Sequence, residues 1–288
     1  MYFDPQTNRF PYPEDTDKHY LEVKKNFGLV FDENYQYVNL DKRFMRKRWW
    51  MRLFITAIVF PVVRIRLGLR VKGKKNLKKY KDVISKGVIS VSNHVHLWDY
   101  LMLMIAIRPI KPYVLVWAPN INGEMGKMMR LVGGIPIPEN NIKGTLRCLN
   151  DVGEMLNNGG WLQIYPEGSM WEYYRPIRPF KRGAAHFACK FDKPIIPFAY
   201  TYRKPGFIRG KIFRQFATFT LHVGEPIFPN KNLSGAEQEI DLTIRMHKAI
   251  SEMAGIDEAS ALYPPVFNNS KRVDYYTSRY GVNYKGSH

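Results

Sequence analysis

The sequence predicts an α/β domain in which a mixed, largely parallel sheet is flanked by helices. Short apolar, β-branched runs such as residues 88–91 are typical of buried strands. Helix-length segments separate these runs, and Gly159-Gly160 is a stop signal for the helix predicted at 141–158. The 288-residue chain is long enough to bury a large core, which favours one catalytic domain with appendages.

The N-terminal region changes character at residue 42. Residues 1–41 are predicted to form an irregular, aromatic-rich lead segment. The stretch from residue 42 to residue 81 then holds fifteen Lys or Arg and no acidic residue. Inside it, residues 53–63 carry no charge, and as a helix they would reach about 16 Å, roughly half the thickness of a bilayer core.

The residues beside this uncharged stretch suit a lipid surface. Trp49 and Trp50 are typical of a membrane interface, and nearby cations are expected among lipid phosphates. These cations are Arg46, Lys47, Arg48 and Arg52. We therefore predict that residues 42–62 form an N-terminal membrane-anchoring helical segment, which enters one leaflet without crossing the bilayer. The alternative is a buried core helix with a basic approach.

The predicted catalytic domain, residues 63–255, follows a break expected at Pro61. Apolar and mostly basic residues alternate over 63–71, which predicts a half-buried strand with one basic face. Further strands are predicted at 113–117, 161–165, 195–200 and 212–223. Further helices are predicted at 126–131, 183–191 and 237–253. The polar, Tyr-rich residues 256–288 are predicted to form a loosely packed tail.

The composition indicates the compartment and the class of partner. Lys and Arg number 44 against 25 acidic residues, a net charge of +19, which favours a polyanionic partner: an anionic bilayer surface, a nucleic acid or an acidic protein. No nucleic-acid-binding motif is present. The two cysteines, Cys148 and Cys189, have no metal-binding spacing and indicate a reducing compartment. No secretory signal or run of 18 apolar residues is visible, so we expect a monotopic or peripheral protein at the cytoplasmic face of a membrane.

The segment GVISVSNHVHLWDY, residues 87–100, contains the first candidate catalytic residues. Positions five apart on one helix diverge by roughly 140°, so His94 and Asp99 can meet only if the His lies in the turn and the Asp opens the next helix. A carboxylate that orients a histidine ring is the base half of a catalytic triad, and here the substrate would bring the nucleophile. Alternatively, Asp99 is only a helix N-cap. His96 has no carboxylate at the same offset.

A second polar group follows the strand predicted at 161–165. Glu167, Gly168 and Ser169 lie where ligand crevices form in open α/β sheets, beyond the carboxyl end of a strand. Four cations precede the next predicted helix, in a position that suits phosphate groups. They are Arg175, Arg178, Lys181 and Arg182. The alternative is an ordinary turn followed by a solvated basic face.

Taken together, these motifs and their order resemble the lysophosphatidate-type (1-acyl-sn-glycerol-3-phosphate) glycerolipid acyltransferase family. In chain order they are Asn93-His94 with Asp99, GGIPIP at 133–138, YPEGS at 165–169, FKRG at 180–183, PIIP at 194–197 and GEPI at 224–227. The resemblance covers roughly residues 71–227. A short N-terminal helical anchor is also a feature of that family.

The resemblance implies a membrane-bound enzyme that moves an acyl chain from an acyl-CoA or acyl-carrier-protein thioester to a lipid hydroxyl. His94 would be the general base and Asp99 would orient it. The acceptor site would be shaped by the Glu-Gly motif and the motif before it. The predicted substrate-binding residues are Glu167, Gly168, Ser169, Arg175, Arg178 and Lys181. No metal or other cofactor is expected, because a thioester is already activated.

Two positions depart from the family pattern. The Glu-Gly motif usually continues Thr-Arg, whereas Met170 follows Ser169 here, and the GGIPIP motif leads to Glu139 where the family commonly has an Arg. The family associates both missing cations with the phosphate of the acceptor. The acceptor is therefore either a lysophospholipid such as lysophosphatidate or another lysolipid or glycolipid. Hydrolysis of a thioester and a non-enzymatic basic membrane-binding protein are the remaining alternatives.

Overall fold

The computed structural model describes residues 26–256. The predicted lead segment is described only from residue 26, and the predicted tail lies outside the described residues except for residue 256. Within residues 26–256, seven strands form one sheet in the order β1-β7-β6-β2-β5-β3-β4. The strands are β1 Arg70–Lys72, β2 Val88–Ser92, β3 Tyr113–Trp117, β4 Gly134–Ile137, β5 Trp161–Ile164, β6 Ile195–Arg203 and β7 Thr218–Val223.

Neighbouring strands are parallel at every position of this sheet except between β6 and β7, which are antiparallel. The prediction of a mixed, largely parallel sheet flanked by helices is therefore confirmed. The helices are α1 Lys42–Phe54, α2 Phe60–Leu67, α3 Lys75–Lys79, α4 Lys81–Ile84, α5 Asp99–Ala106, α6 Ala118–Asn122, α7 Gly126–Val132, α8 Ile142–Asn157, α9 Gly183–Phe191 and α10 Gly235–Ala254. Two five-residue π-helical turns, Ile55–Val59 and Ile208–Ile212, complete the regular structure of the described part of the chain.

The sheet is the middle of three layers. On one face, its apolar side chains pack against α8, α9 and α10, with Val152, Ala185 and Met246 fully buried. On the other face they pack against α2 and α5. Strand β2, at the centre, is buried over all five residues, because both of its faces meet a helix layer. This arrangement is why β2 is a continuous apolar and small-residue run without alternation.

The N-terminal helical region differs from the prediction at Pro61. Helix α1, the turn Ile55–Val59 and helix α2 follow one another without interruption through that proline. Pro61 lies in the first turn of α2, where a missing N–H is tolerated, and the wider π turn before it accommodates the ring. The predicted strand at 63–71 is wrong over most of its length, since α2 runs to Leu67 and β1 begins only at Arg70.

Helix α2 also spans the predicted boundary between the anchor and the catalytic domain. Val63 and Leu67, four residues apart, are buried in the same core cluster as strands β6 and β7. No helix among residues 26–256 has the length and hydrophobicity needed to cross a membrane.

The antiparallel pair β6 and β7 is joined by a long connection, residues 204–217. The sequence predicts strand from residue 212, but the strand begins at Thr218. The π turn Ile208–Ile212 and an irregular piece precede it.

Candidate active site

The site forms where strands β2 and β5 end. The two strands are parallel neighbours, with Val91 beside Ile164, so the loops that leave their carboxyl ends emerge at the same edge of the sheet. The first loop carries His94 to Asp99, and the second carries Glu167 to Arg178. The backbone of the two loops is joined directly, because Trp171 N–H donates to the His94 carbonyl oxygen at 3.1 Å and Tyr173 N–H donates to the Val95 carbonyl oxygen at 2.9 Å.

His94 and Asp99 are in contact. The ring atom His94 Nδ1 lies 2.8 Å from Asp99 Oδ2. As the spacing requires, His94 lies in the turn and Asp99 is the first residue of α5. The carboxylate is 1% exposed, whereas the His94 side chain keeps 25% exposure. Nδ1 therefore faces the protein, and the ring remains within reach of a substrate.

The Asp99 carboxylate also fixes the shape of the turn. The same oxygen, Oδ2, accepts backbone N–H bonds from Val95 at 2.7 Å and His96 at 3.1 Å. Trp98, not Asp99, occupies the N-cap position of α5. Because an ionised carboxylate oxygen can only accept hydrogen bonds, the His94 tautomer with hydrogen on Nδ1 is favoured, which leaves the Nε2 lone pair available as a base.

Further contacts hold this turn against the sheet. Asn93 is fully buried and exchanges two hydrogen bonds with the backbone of Tyr200 on β6, at 3.1 and 2.8 Å. The Tyr200 hydroxyl donates to the Asp99 carbonyl oxygen at 2.6 Å. The Tyr165 ring stacks on the His94 imidazole with centroids 3.9 Å apart. The sequence motif contains Asn93 and Tyr165, but spacing alone gave neither contact.

Glu167 and Arg178 form a buried ion pair behind the turn. Arg178 Nη2 lies 3.0 Å from Glu167 Oε2, and both side chains are at most 2% exposed. Glu167 also accepts the backbone N–H groups of His94 and Arg178, each at 3.1 Å. Burial raises the pKa of Glu167, and Arg178 opposes that shift. Glu167 thus links the two loops through the backbone of the histidine itself.

Arg178 is committed to this loop by more than the ion pair. Its guanidinium donates to the Ser169 hydroxyl at 2.8 Å and to the Ser169 carbonyl oxygen. It also lies over the Trp171 ring, 4.4 Å from the centroid. The structure therefore places Glu167, Ser169 and Arg178 together as internal partners, and their predicted contacts with substrate stay predictions.

Gly168 and Lys181 meet at the exposed side of the loop. Gly168 has a φ of +83°, and a Cβ built there would lie 2.9 Å from Lys181 Nζ. A side chain at residue 168 would therefore displace the Lys181 ammonium. Lys181 N–H donates to the Pro166 carbonyl oxygen at 2.7 Å, which holds this cation against the Glu-Gly motif. Arg175 lies half-buried on the connecting loop, three residues before Arg178.

His96 has a different environment from His94. Its Nδ1 accepts the Trp98 backbone N–H at 3.0 Å, and its Nε2 lies 3.9 Å from Glu172 Oε1. Burial lowers the pKa of His96, although the nearby Asp99 opposes the shift. His96 is nearly enclosed by aromatic rings and is therefore suited to holding the turn. Among residues 26–256, no group of three or more His, Cys, Asp and Glu side chains is placed to hold a metal ion. The prediction that no metal is needed stays a prediction.

Comparisons with known proteins show what this chain is similar to. Residues 68–201 match the family model described as Acyltransferase. The chain is 28% identical over 150 residues to human 1-acyl-sn-glycerol-3-phosphate acyltransferase beta, with 52% of this chain and 53% of the relative covered. It is 28% identical over 168 residues to the human alpha protein, with 50% of this chain and 57% of the relative covered. The chain thus spans about half the length of the curated relatives it matches.

The fold also matches a solved structure, the 1-acyl-sn-glycerophosphate (LPA) acyltransferase PlsC from Thermotoga maritima. The TM-score is 0.51 at 18% sequence identity, with 79% of this chain and 86% of that chain covered. At this identity the match shows the fold alone. The family resemblance predicted from the ordered motifs is confirmed, and all the site residues described above lie within the matched residues 68–201.

Proposed function

We propose that this chain, with its Acyltransferase-family domain at residues 68–201, transfers a fatty acyl group from a thioester to the hydroxyl of a lysophospholipid. Acyl-CoA or acyl-carrier protein would supply the thioester, and lysophosphatidate is the first acceptor to test. The observation that carries the proposal is the contact between His94 Nδ1 and the buried Asp99 carboxylate, 2.8 Å long, with the His94 ring still partly exposed.

The proposed reaction follows from that contact. His94 Nε2 takes the proton of the acceptor hydroxyl as its oxygen attacks the thioester carbonyl carbon. The resulting tetrahedral oxyanion collapses, the carbon–sulfur bond breaks, and the imidazolium returns the proton to the leaving thiolate. The products are an ester and a free thiol, without an acyl-enzyme. Asp99 keeps the ring in its tautomer and stabilises the imidazolium, and such base catalysis contributes roughly 10²- to 10⁴-fold.

The test is acyl transfer by the purified full chain in mixed micelles. His94→Ala should abolish transfer and leave the melting temperature near that of the wild type, because the His94 backbone contacts remain. His96→Ala, which removes a second histidine of the same turn, is the matched control and should retain measurable transfer. Near wild-type turnover by His94→Ala would refute the assignment. Release of free fatty acid at the same rate with and without acceptor would indicate hydrolysis instead.

A second candidate acceptor is a lysolipid without a phosphomonoester, or a glycolipid. Met170 is buried where the family pattern has an Arg. Glu139, the other departure, accepts a hydrogen bond from Trp117 Nε1 at 2.5 Å. Arg178 is in the buried pair with Glu167, so swinging it toward a phosphate would break that pair. Lys181 remains beside Gly168, but it matches a basic position the family already has.

An acceptor panel decides between the two candidates. Lysophosphatidate, lysophosphatidylglycerol and a monoacyl glycolipid should be offered with both donors. Preference for the second or third acceptor, unaffected by Arg175→Ala, would favour the second candidate. Preference for lysophosphatidate that is lost in Arg175→Ala would favour the first and assign Arg175 to the phosphate.

A further inference from the structure

The connection between β6 and β7, residues 204–217 with sequence KPGFIRGKIFRQFA, carries several exposed large apolar side chains. Phe207 is 71% exposed, Ile208 60% and Ile212 63%, and Phe213 and Phe216 are exposed as well. Single exposed apolar residues are common, but five large ones within ten residues form a patch that needs a partner.

The charge of the segment indicates the chemistry of that partner. Four cations and no acidic residue lie among the apolar side chains. They are Lys204, Arg209, Lys211 and Arg214. Bulky apolar groups interleaved with Lys and Arg match the two components of an anionic bilayer surface, namely acyl chains and lipid phosphates. An acidic protein would match the charge but not the apolar groups.

The segment adjoins the predicted anchor. Arg209 Nε donates to the Ile65 carbonyl oxygen of α2 at 2.8 Å. Ile65 itself is exposed, as are Ile58 and Val62 on the same helical region. Although residues 65 and 209 are 144 positions apart in the chain, the two exposed apolar surfaces therefore meet.

The same segment also contacts the loops of the active site. The Phe216 ring packs edge-on against Tyr173, 5.7 Å between centroids, and Tyr173 N–H donates to the Val95 carbonyl oxygen beside His94. On the α2 side, the Arg66 guanidinium lies 5.4 Å from the Trp98 ring centroid. Leu97, between His96 and Trp98, is exposed. Both surfaces are thus attached to the turn that carries the proposed base.

We propose that residues 204–217 are a second membrane-inserting segment, which enters an anionic leaflet beside the N-terminal helices and holds the active-site turn at the lipid surface. The inference rests on the proposed function for its purpose, since a lysolipid acceptor resides in that surface. Insertion of Phe207 and Ile212 among lipids can be measured independently of turnover.

The test places an environment-sensitive fluorophore on the full chain at Phe207→Cys, in a Cys189→Ser background. Ile142→Cys on α8, at an apolar position that is even more exposed than Phe207, is the control. With vesicles of phosphatidylcholine and phosphatidylglycerol, the label at residue 207 should shift to shorter wavelength and be quenched by brominated lipids. The label at residue 142 should do neither. Equal behaviour at both positions would overturn the proposal.

Vesicle partitioning gives the second readout. The double variant Phe207→Ser/Ile208→Ser should bind these vesicles at least about tenfold more weakly than the wild type, and Ile142→Ser/Leu146→Ser should bind normally. Turnover of the segment variant in detergent with dispersed substrates should be unchanged. A wild-type dimer in detergent that this variant dissociates would mean that a second copy covers the segment, and would overturn the proposal. If the wild type shows no acyl transfer but its residue 207 still enters lipid, only the proposed function is refuted and the inserting segment stands.

Discussion

The active-site turn and the outward face of the N-terminal helices lie next to each other and are built in opposite ways. In the turn, polar groups are buried and paired, as in Asp99 with His94 and Glu167 with Arg178. On the outward face, apolar groups such as Leu53, Phe54 and Ile58 are exposed. The first arrangement fixes a geometry inside the protein. The second leaves apolar area exposed, where a binding partner can cover it.

The helical region from α1 through the π turn Ile55–Val59 to α2 shows this contrast from one side to the other. Ile55, Val63 and Leu67 are buried against the domain. Arg48 and Arg52 are buried too, although the sequence predicts them among lipid phosphates. The Arg48 guanidinium lies 3.9 Å from the Tyr113 ring centroid, and Arg52 Nη2 donates to the Pro112 carbonyl oxygen at 3.1 Å. Two of the four predicted lipid-facing cations therefore attach the helix to the domain.

The largest expected effect follows from changing the charge at Asp99. In Asp99→Asn, the amide oxygen can replace Oδ2 as the acceptor of the Val95 and His96 N–H groups, so the turn should persist. A neutral amide cannot stabilise the imidazolium, however, and turnover should fall about 10²- to 10⁴-fold. Steady-state acyl transfer and the melting temperature measure the two effects. A large drop in melting temperature with little loss of turnover would reverse the roles assigned here.

The buried pair of Glu167 and Arg178 should matter more for stability than for chemistry. Glu167→Gln leaves the Arg178 charge buried without its counter-ion, which typically costs about 3–5 kcal/mol of unfolding free energy. The double variant Glu167→Gln/Arg178→Met should lose less than the sum of the single variants. Denaturant unfolding measures all three. The exposed pair Lys231–Asp192 is the control, and Lys231→Met should leave the unfolding free energy nearly unchanged.

The outward face should show the converse, a loss of lipid binding without a loss of stability. Leu53→Ser/Ile58→Ser should weaken binding to anionic vesicles about tenfold or more, because the substitutions remove apolar area available for insertion. Reversing the exposed cations Arg46 and Lys47 should cost about 1 kcal/mol of binding free energy per residue. Vesicle flotation and thermal unfolding check the pair of claims.

The inward face supplies the control for that experiment. Val63→Ser should lower the melting temperature while leaving the intrinsic affinity of the folded protein for vesicles unchanged. If Leu53→Ser/Ile58→Ser destabilises the fold as much as Val63→Ser does, the outward face is part of the core. The alternative of a buried core helix would then hold for both sides.

How far the sequence predicts this molecule depends on how local the interaction is. The contact of His94 with Asp99 was predictable, because a five-residue spacing allows it in only one local arrangement. The partner of Glu167 was not, since Arg178 reaches it by the path of an irregular loop for which no periodicity exists. Glu167 and Arg178 were both predicted to contact substrate, but their pairing with each other was not predicted.

Hydrophobic periodicity predicted the wrong element where the strand period and the helix period both fit the same residues. Residues 63–71 alternate as a strand would, but Val63 and Leu67 also lie one helical turn apart, and burial of that pair against the sheet favours the helix. The strand predicted at 212–223 is present only over Thr218–Val223, and its predicted start was wrong for a related reason. Ile212 and Phe213 have the composition of a strand, but they are exposed in the connection before β7.

The smallest expected effect concerns the pH dependence of the unfolding free energy. It arises from His96, a titratable side chain among the buried polar groups of the active-site turn. Its pKa is lowered by burial, with Arg66 and His94 adding to the shift and Asp99 opposing it. Below the unfolded-state pKa of about 6.5, the unfolded chain takes up a proton that the folded chain does not. The unfolding free energy should therefore decrease as pH falls, by at most about 1.4 kcal/mol per pH unit for this group, until the folded-state pKa is reached.

In His96→Asn, the side-chain oxygen can still accept the Trp98 N–H, so the fold should persist while this pH dependence becomes shallower. Denaturant unfolding between pH 5 and pH 8 measures it. His222→Asn, which removes another histidine of lowered pKa far along the chain on β7, is the comparison variant. An unchanged slope in His96→Asn would mean that His96 binds protons equally in the folded and unfolded chain, so that the turn tolerates a charge there.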